Sequence, residues 1–300
     1  MEGLGPSVAP AQNAPAQNAR ISICTLGTFE LAFDGSPVER WKAGKARNLL
    51  QFLLLRRGRV VSRDVLYESL WPDAPWSKDS SSLKVAAHML RNILERGQGP
   101  GQDGPTLRLL TREPGYLLEV DQVSVDFEIF VQLVDRAYAA QLGHDRATAA
   151  ALYRQAAGLN RGDFLPDVCY DWAAQQREWL RSRLLCAFTF LTETDILRGD
   201  HVGVIRWCQR MLEVEPFHEE TYRALMLVHA HLGQLAQVQR WYRLCAVRLR
   251  DHLQVTPDLA TQRLHARAVR GEFTGRPIDP LAWQRELQPA GHASLLQTPA

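Results

Sequence analysis

Apolar positions change their spacing three times along this chain. In ISICTLGTFELAFDG (residues 21–35) short apolar, β-branched segments are interrupted at Gly27 and again at Asp34-Gly35, which predicts a small antiparallel sheet with a hairpin. KARNLLQFLLLRRG then switches to helical spacing, with Gly58 as its stop. SRDVLYESLWPD predicts a second helix that Ser62 caps and Pro72 ends. After the polar loop APWSKDSS, the segment 80–94 (SSSLKVAAHMLRNIL) places Leu83, Ala87, Leu90 and Leu94 at i, i+4, i+7 and i+11, a single core-facing stripe. A glycine-rich turn region, GQGPGQDGP, leads into TLRLLTREPGYLLEV, two strands joined at Glu113-Pro114-Gly115. Sheet, three helices and a terminal hairpin make a winged helix-turn-helix.

From Val125 the pattern is helical throughout, rich in Ala, Leu, Arg and Trp, to about Gly271. Gly199 and Gly233, Val204 and Val238, and Trp207 and Trp241 each stand 34 residues apart, the tetratricopeptide period, and Pro216 closes one repeat. The glycine turns the chain between paired helices, and the valine lets them approach. The expected fold is therefore mostly α with a small β component: a winged helix over 21–120, then an all-α, tetratricopeptide-like domain over 121–271. The first twenty residues, with their duplicated APAQN, read as a disordered tail, and 272–300 as a flexible one. Trp172, Trp179, Trp207 and Trp241 are core anchors or contact points for a protein partner, since tryptophan is enriched in both settings.

Composition narrows the class. No apolar run is long enough to span a membrane and the N-terminus lacks a signal-peptide pattern, so the chain is expected in the cytoplasm. The five cysteines are scattered and form no CxxC pair, which supports neither a disulfide framework nor a zinc site. His229 and His231 point to different helix faces, so no metal is expected. KAGKAR lacks the phosphate-loop spacing, and HExxH, GxSxG and paired catalytic carboxylates are missing, so neither an enzyme nor a cofactor is expected. Residues 1–120 hold 15 Lys and Arg against 12 Asp and Glu, whereas 121–271 hold 18 of each, so the basic excess lies at the front.

That excess matters beside the helix at 80–94. Its outer face carries Ser81, Val85, His88, Met89 and Asn92 and no acidic residue. A helix fits the DNA major groove, where Asn92 suits the adenine edge, His88 can donate to guanine, and Val85 or Met89 can meet a thymine methyl. Phosphates would be held from outside that face: by Lys42, Lys45 and Arg47 before the first helix, by Arg56, Arg57, Arg59 and Arg63 between the first two, by Lys84 and Arg91 on the flank, and by Arg108 and Arg112 on the hairpin. A merely exposed polar helix is the competing interpretation.

LGTFELAFDG, KARNLLQFLLLRRGRVVSRDVLYESLWPD and TREPGYLLE resemble the OmpR/PhoB-type DNA-binding domain. VDFEIF, LNRGDFLPD, DWAAQQREWL, EVEPFHEETYRALM and VTPDLATQRL resemble the bacterial transcriptional activator domain. In this order, over residues 21–271, they resemble the Streptomyces antibiotic regulatory protein (SARP) family. The resemblance implies an activator that binds repeated promoter sites as paired protomers and recruits RNA polymerase holoenzyme. Two departures stand out: His88 and Met89 occupy positions where many winged-helix relatives carry arginine, and LQVTPD replaces the more usual leucine-glycine-valine before the proline. A tetratricopeptide scaffold and an effector-responsive repressor of the same architecture remain the alternatives.

Overall fold

The computed structural model describes residues 19–39, 41, 44–73, 81–98, 105–275, 283, 286 and 287. The chain divides into two compact units. One comprises the chain up to Leu133 together with Gly158–Leu180, the other Val134–Ala157 with everything from Arg181.

The first unit opens with strands β1 (Ile21–Cys24), β2 (Glu30–Phe33) and the two-residue β3 (Ser36–Pro37). Helix α1 (Gly44–Leu54), strand β4 (Val60–Ser62), helices α2 (Arg63–Leu70) and α3 (Ser82–Gln98), and the hairpin β5 (Thr106–Arg112) and β6 (Gly115–Asp121) follow. The hairpin joins β4 in a sheet of order β4-β6-β5. This is the expected winged helix, with three differences. Helix α1 ends at Leu54 and passes through turns to Gly58, which takes φ +72°. Helix α3 runs on to Gln98, whose side chain finds partners in β5. Strand β4, too short to show a period, is called into existence by its pairing with β6. Ser62 caps α2 as expected, accepting from Val65 N at 3.3 Å.

The N-terminal sheet is completed from far along the chain. Strand β7 (Ser124–Val125) pairs parallel to β1, giving the order β3-β2-β1-β7, and helix α4 (Asp126–Leu142) starts at once. The Asp126 carboxylate is buried and accepts from Thr25 N (2.8 Å), Thr25 Oγ1 (2.6 Å), Leu26 N (3.0 Å) and Phe127 N (2.7 Å). Four donors satisfy a charge that would otherwise be costly to bury. Helix α5 (Arg146–Leu159) leads to the loop 160–170, and helix α6 (Asp171–Leu197) follows. Arg177 of α6 holds the loop by donating to the carbonyls of Phe164, Leu165 and Val168. Tyr170 accepts from Asn48 and is bonded to Lys45, which also donates to the Leu70 carbonyl.

In the second unit, α7 (His201–Val214), α8 (Glu219–His231), α9 (Leu235–Arg248), a π-helical turn (Leu249–Leu253) and α10 (Leu259–Val269) complete the helical array. The 34-residue spacing is structural. Gly199 and Gly233 both turn the chain with φ near +70°, a conformation that L side chains resist, and Val204 and Val238 are both fully buried. Trp207 is a core residue whose indole donates to buried Asp195 at 2.8 Å, and Arg154 pairs with the same carboxylate at 2.9 Å. Helix α8 is buried on nearly every face, and it carries Arg223, only 1% exposed, bonded to Asp258, Thr261 and the Leu287 carbonyl.

The segment after 271 was expected to hang free, yet its described residues are anchored. Phe273 and Trp283 join the core of this unit, and Arg267 pairs with Glu272 and Glu286. The expected tail at 1–18 and most of 276–300 lie outside the described residues.

Candidate nucleic-acid interface

Helix α3 presents the two faces that its spacing implied. Leu83, Ala86, Ala87, Leu90 and Leu94 are buried, and the Tyr67 hydroxyl of α2 accepts from Leu83 N at 3.3 Å, occupying a backbone donor at the helix start. On the other side Ser81, Val85 and His88 are exposed, Val85 by 54%, a large apolar side chain left in water. Asn92 is half-buried, and its Nδ2 lies 3.1 Å from His88 Nε2, so the two side chains form one polar pair. Met89 is half-buried, and with Asn92 it walls a groove of about 490 Å³ against Phe33 and Pro37.

The cations expected to hold phosphates fall into two groups. Arg59, Lys84, Arg108 and Arg112 are exposed and have no carboxylate partner among the described residues. The others have intramolecular work. Lys45 is bonded to Tyr170 and stands over the Trp71 and Tyr170 rings; Arg47 lies over Phe29 and 3.7 Å from Asp167; Arg63 meets Glu113, at the hairpin tip, at 3.0 Å. Arg91 points sideways into the hairpin. Its Nε donates to the Leu109 carbonyl (3.0 Å), its Nη2 to Thr111 Oγ1 (2.7 Å), and its guanidinium lies over Tyr116. Lys42 lies outside the described residues.

Two features of this surface escape the sequence pattern. The Gln98 side chain donates to the Leu107 carbonyl at 2.8 Å and accepts from Leu107 N at 3.1 Å, so β5 gains a second bond to α3. Gly115 starts β6 so close to β4 that a β-carbon would lie 1.8 Å from the Val61 carbonyl oxygen. Gln98 gives no signal beyond its place before a glycine-rich turn. Gly115 is legible as a turn residue, whereas its packing role is not. Through Arg91 and Gln98, helix and hairpin form one block with a shared outer surface. Among the described residues no group of three or more metal-ligating side chains occurs, and no helix is long and apolar enough to cross a membrane.

A winged helix-turn-helix with an accessible third helix and an arginine-bearing wing, followed by an all-α repeat domain, defines the class: a two-part DNA-binding regulator fold. Residues 41–118 match the family described as transcriptional regulatory protein, C terminal, and 125–269 match the bacterial transcriptional activator domain. Transcriptional regulator RedD of Streptomyces coelicolor is 32% identical over 230 residues, which are 75% of this chain and 64% of RedD. Regulatory protein DnrI of Streptomyces peucetius is 27% identical over 77% of this chain and 85% of its own length. Regulatory protein AfsR of Streptomyces griseus is 27% identical over 95% of this chain, which spans only 29% of AfsR. Mycobacterium tuberculosis EmbR, solved with a phosphopeptide, shares the fold, with a TM-score of 0.66 over 90% of this chain and 69% of EmbR at 23% identity. The chain belongs to the Streptomyces antibiotic regulatory protein family.

Proposed function

We propose that this protein is a sequence-specific DNA-binding transcriptional activator, not an enzyme, that acts in the cytoplasm on promoter DNA and recruits RNA polymerase holoenzyme. The observation that carries this reading is the exposed face of α3, free of carboxylates from Ser81 to Asn92, set in one block with a wing bearing Arg108 and Arg112. Ser81, Val85, His88, Met89 and Asn92 read base edges in the major groove. The exposed cations Arg59, Lys84, Arg108 and Arg112 meet phosphates, while Lys45, Arg47, Arg63 and Arg91 hold those elements in place. The DNA-binding part is assigned to 21–120 and the activator part to 121–271. The protein self-associates on DNA, because two adjacent modules of modest affinity gain from effective concentration, and direct repeats about one helical turn apart suit protomers on one face of the duplex. Kinship with RedD, DnrI and AfsR supports a secondary-metabolite gene cluster as the target.

Mobility shift with genomic promoter fragments, followed by transcription with purified polymerase holoenzyme, tests the reading. Salt-sensitive retention of particular fragments and raised transcript levels are expected. Absent or salt-insensitive retention would leave a protein-interaction scaffold, and lowered transcription from the bound promoter would make the protein a repressor.

A further inference from the structure

A cleft of about 710 Å³ opens within the first unit, beside the C-terminal end of α1, and none of the base-reading residues of α3 lines it. Its apolar walls are Leu55, Phe127 and Val131, with the indoles of Trp172 and Trp179. The two tryptophans are seven residues apart on α6, two turns along one face, so both rings border the same space. Trp179 is 41% exposed, an unusual position for the largest apolar side chain. The size falls within the range of small-molecule sites, as does the mixture of aromatic walls with a few polar groups.

Charge specifies the occupant. The cleft holds two guanidinium groups, Arg56 and Arg57, and one carboxylate, Glu128. Arg57 and Glu128 neutralise each other at 2.7 Å, although burial still pushes the Glu128 carboxyl up from its ordinary value. Arg56 is left over. Its guanidinium stacks 3.8 Å from the Phe52 ring centroid and has no carboxylate partner among the described residues, and burial lowers its pKa because its charge has lost solvent. A half-buried cation without a counter-ion, next to two indoles and the amides of Gln132, Gln175 and Gln176, favours a flat apolar body that brings one negative charge.

We infer that this cleft is a binding site for a small planar aromatic carboxylate, its ring against Trp172 and Trp179 and its carboxylate on Arg56. The site draws on residues of the turn that follows α1 and of α4 and α6, so an occupant bridges three segments of the first unit whether or not the chain is on DNA.

The test uses the full chain and two probes, 2-naphthoate and its uncharged counterpart 2-naphthalenemethanol, titrated calorimetrically. Saturable binding of naphthoate is expected at one site, with the alcohol about tenfold weaker. Arg56→Met keeps an apolar stem over Phe52 and removes the charge; it should weaken naphthoate about tenfold and leave the alcohol unchanged. Trp179→Ala, at an exposed position, should weaken both probes, which keeps the test decisive if the Arg56 variant does not fold. Wild-type protein that shows no saturable naphthoate binding overturns the inference. Equal naphthoate affinity in a folded Arg56→Met protein does the same, and so does Trp179→Ala binding both probes like wild type.

Discussion

Replacing Arg91 tests whether the reading helix and the wing act as one rigid block. Its guanidinium donates to Leu109 O and Thr111 Oγ1 and lies 5.7 Å from the Tyr116 ring centroid. Hydrogen bonds from charged donors contribute about 1.5–3 kcal/mol each when well desolvated. This side chain is half-buried, so about 1 kcal/mol per bond is the appropriate discount, with about 0.5 kcal/mol from the cation–π contact. Arg91→Ala should therefore destabilise the DNA-free protein by roughly 2–2.5 kcal/mol. If about 2 kcal/mol of that must be supplied again when the loosened wing docks, affinity for operator DNA falls roughly 30-fold. Arg91→Lys keeps the charge and loses the forked, stacking geometry, so it should recover less than half of either loss. Urea unfolding of the free protein and fluorescence anisotropy on labelled operator give the two numbers. A phosphate contact behaves differently: Lys would match wild type in both assays, and Ala would leave stability intact while reducing the salt slope by about 0.9. That pair of results would refute the reasoning.

Asp126→Ala strands four buried donors, at about 1–3 kcal/mol each before relaxation, and should lower unfolding free energy by roughly 3–5 kcal/mol in urea titration; a loss under about 1 kcal/mol contradicts its role as the knot of the N-terminal sheet. Asn92→Ala should relax discrimination at one base pair, while Arg112→Ala should weaken binding to all sequences alike and reduce the salt slope by about 1; equal effects in a binding-site selection would break the division between readers and holders. Gly115→Ala would set a methyl 1.8 Å from the Val61 carbonyl oxygen, so protection of the Val61 and Tyr116 amides, which face each other across β4 and β6, from hydrogen exchange should collapse. Cys169 and Cys186 are exposed, whereas burial pushes the Cys208 thiol up to about 12. At pH 8 its thiolate fraction is about 10⁻⁴, so iodoacetamide should label the two exposed cysteines well before Cys208, as mass spectrometry would read.

Much of the fold was legible because it is local. The leucine stripe of α3, the Ser62 cap and the Gly199–Gly233 period each depend on neighbours within one or two turns, or on a strict repeat, and periodicity reports such things directly. What stayed hidden lies between distant residues. Lys45 reads as a surface cation from its neighbours, but its hydroxyl partner Tyr170 lies 125 positions away. Arg91 has helical spacing that fits a groove rim equally well; only the path of β5 decides that its acceptors are Leu109 and Thr111. The C-terminal segment reads as polar and loose because its anchors, Phe273 and Trp283, are widely spaced and show no period. Charge excess alone could not sort free cations from those already engaged.

The position of Asp126 and β7 sets an order on biosynthesis. Strand β1 is among the first described residues to leave the ribosome, yet its parallel neighbour is 124–125, its carboxylate anchor is 126, and the loop that covers Leu26 arrives with Phe164. At about 5–20 residues per second, the stretch from 120 to 180 takes roughly 3–12 s to emerge. For that interval the nascent chain carries a β1 edge without its partner, and an expression clone that stops at 120 makes the same condition permanent. Recombinant DNA-binding fragments of this protein should therefore extend at least to residue 180.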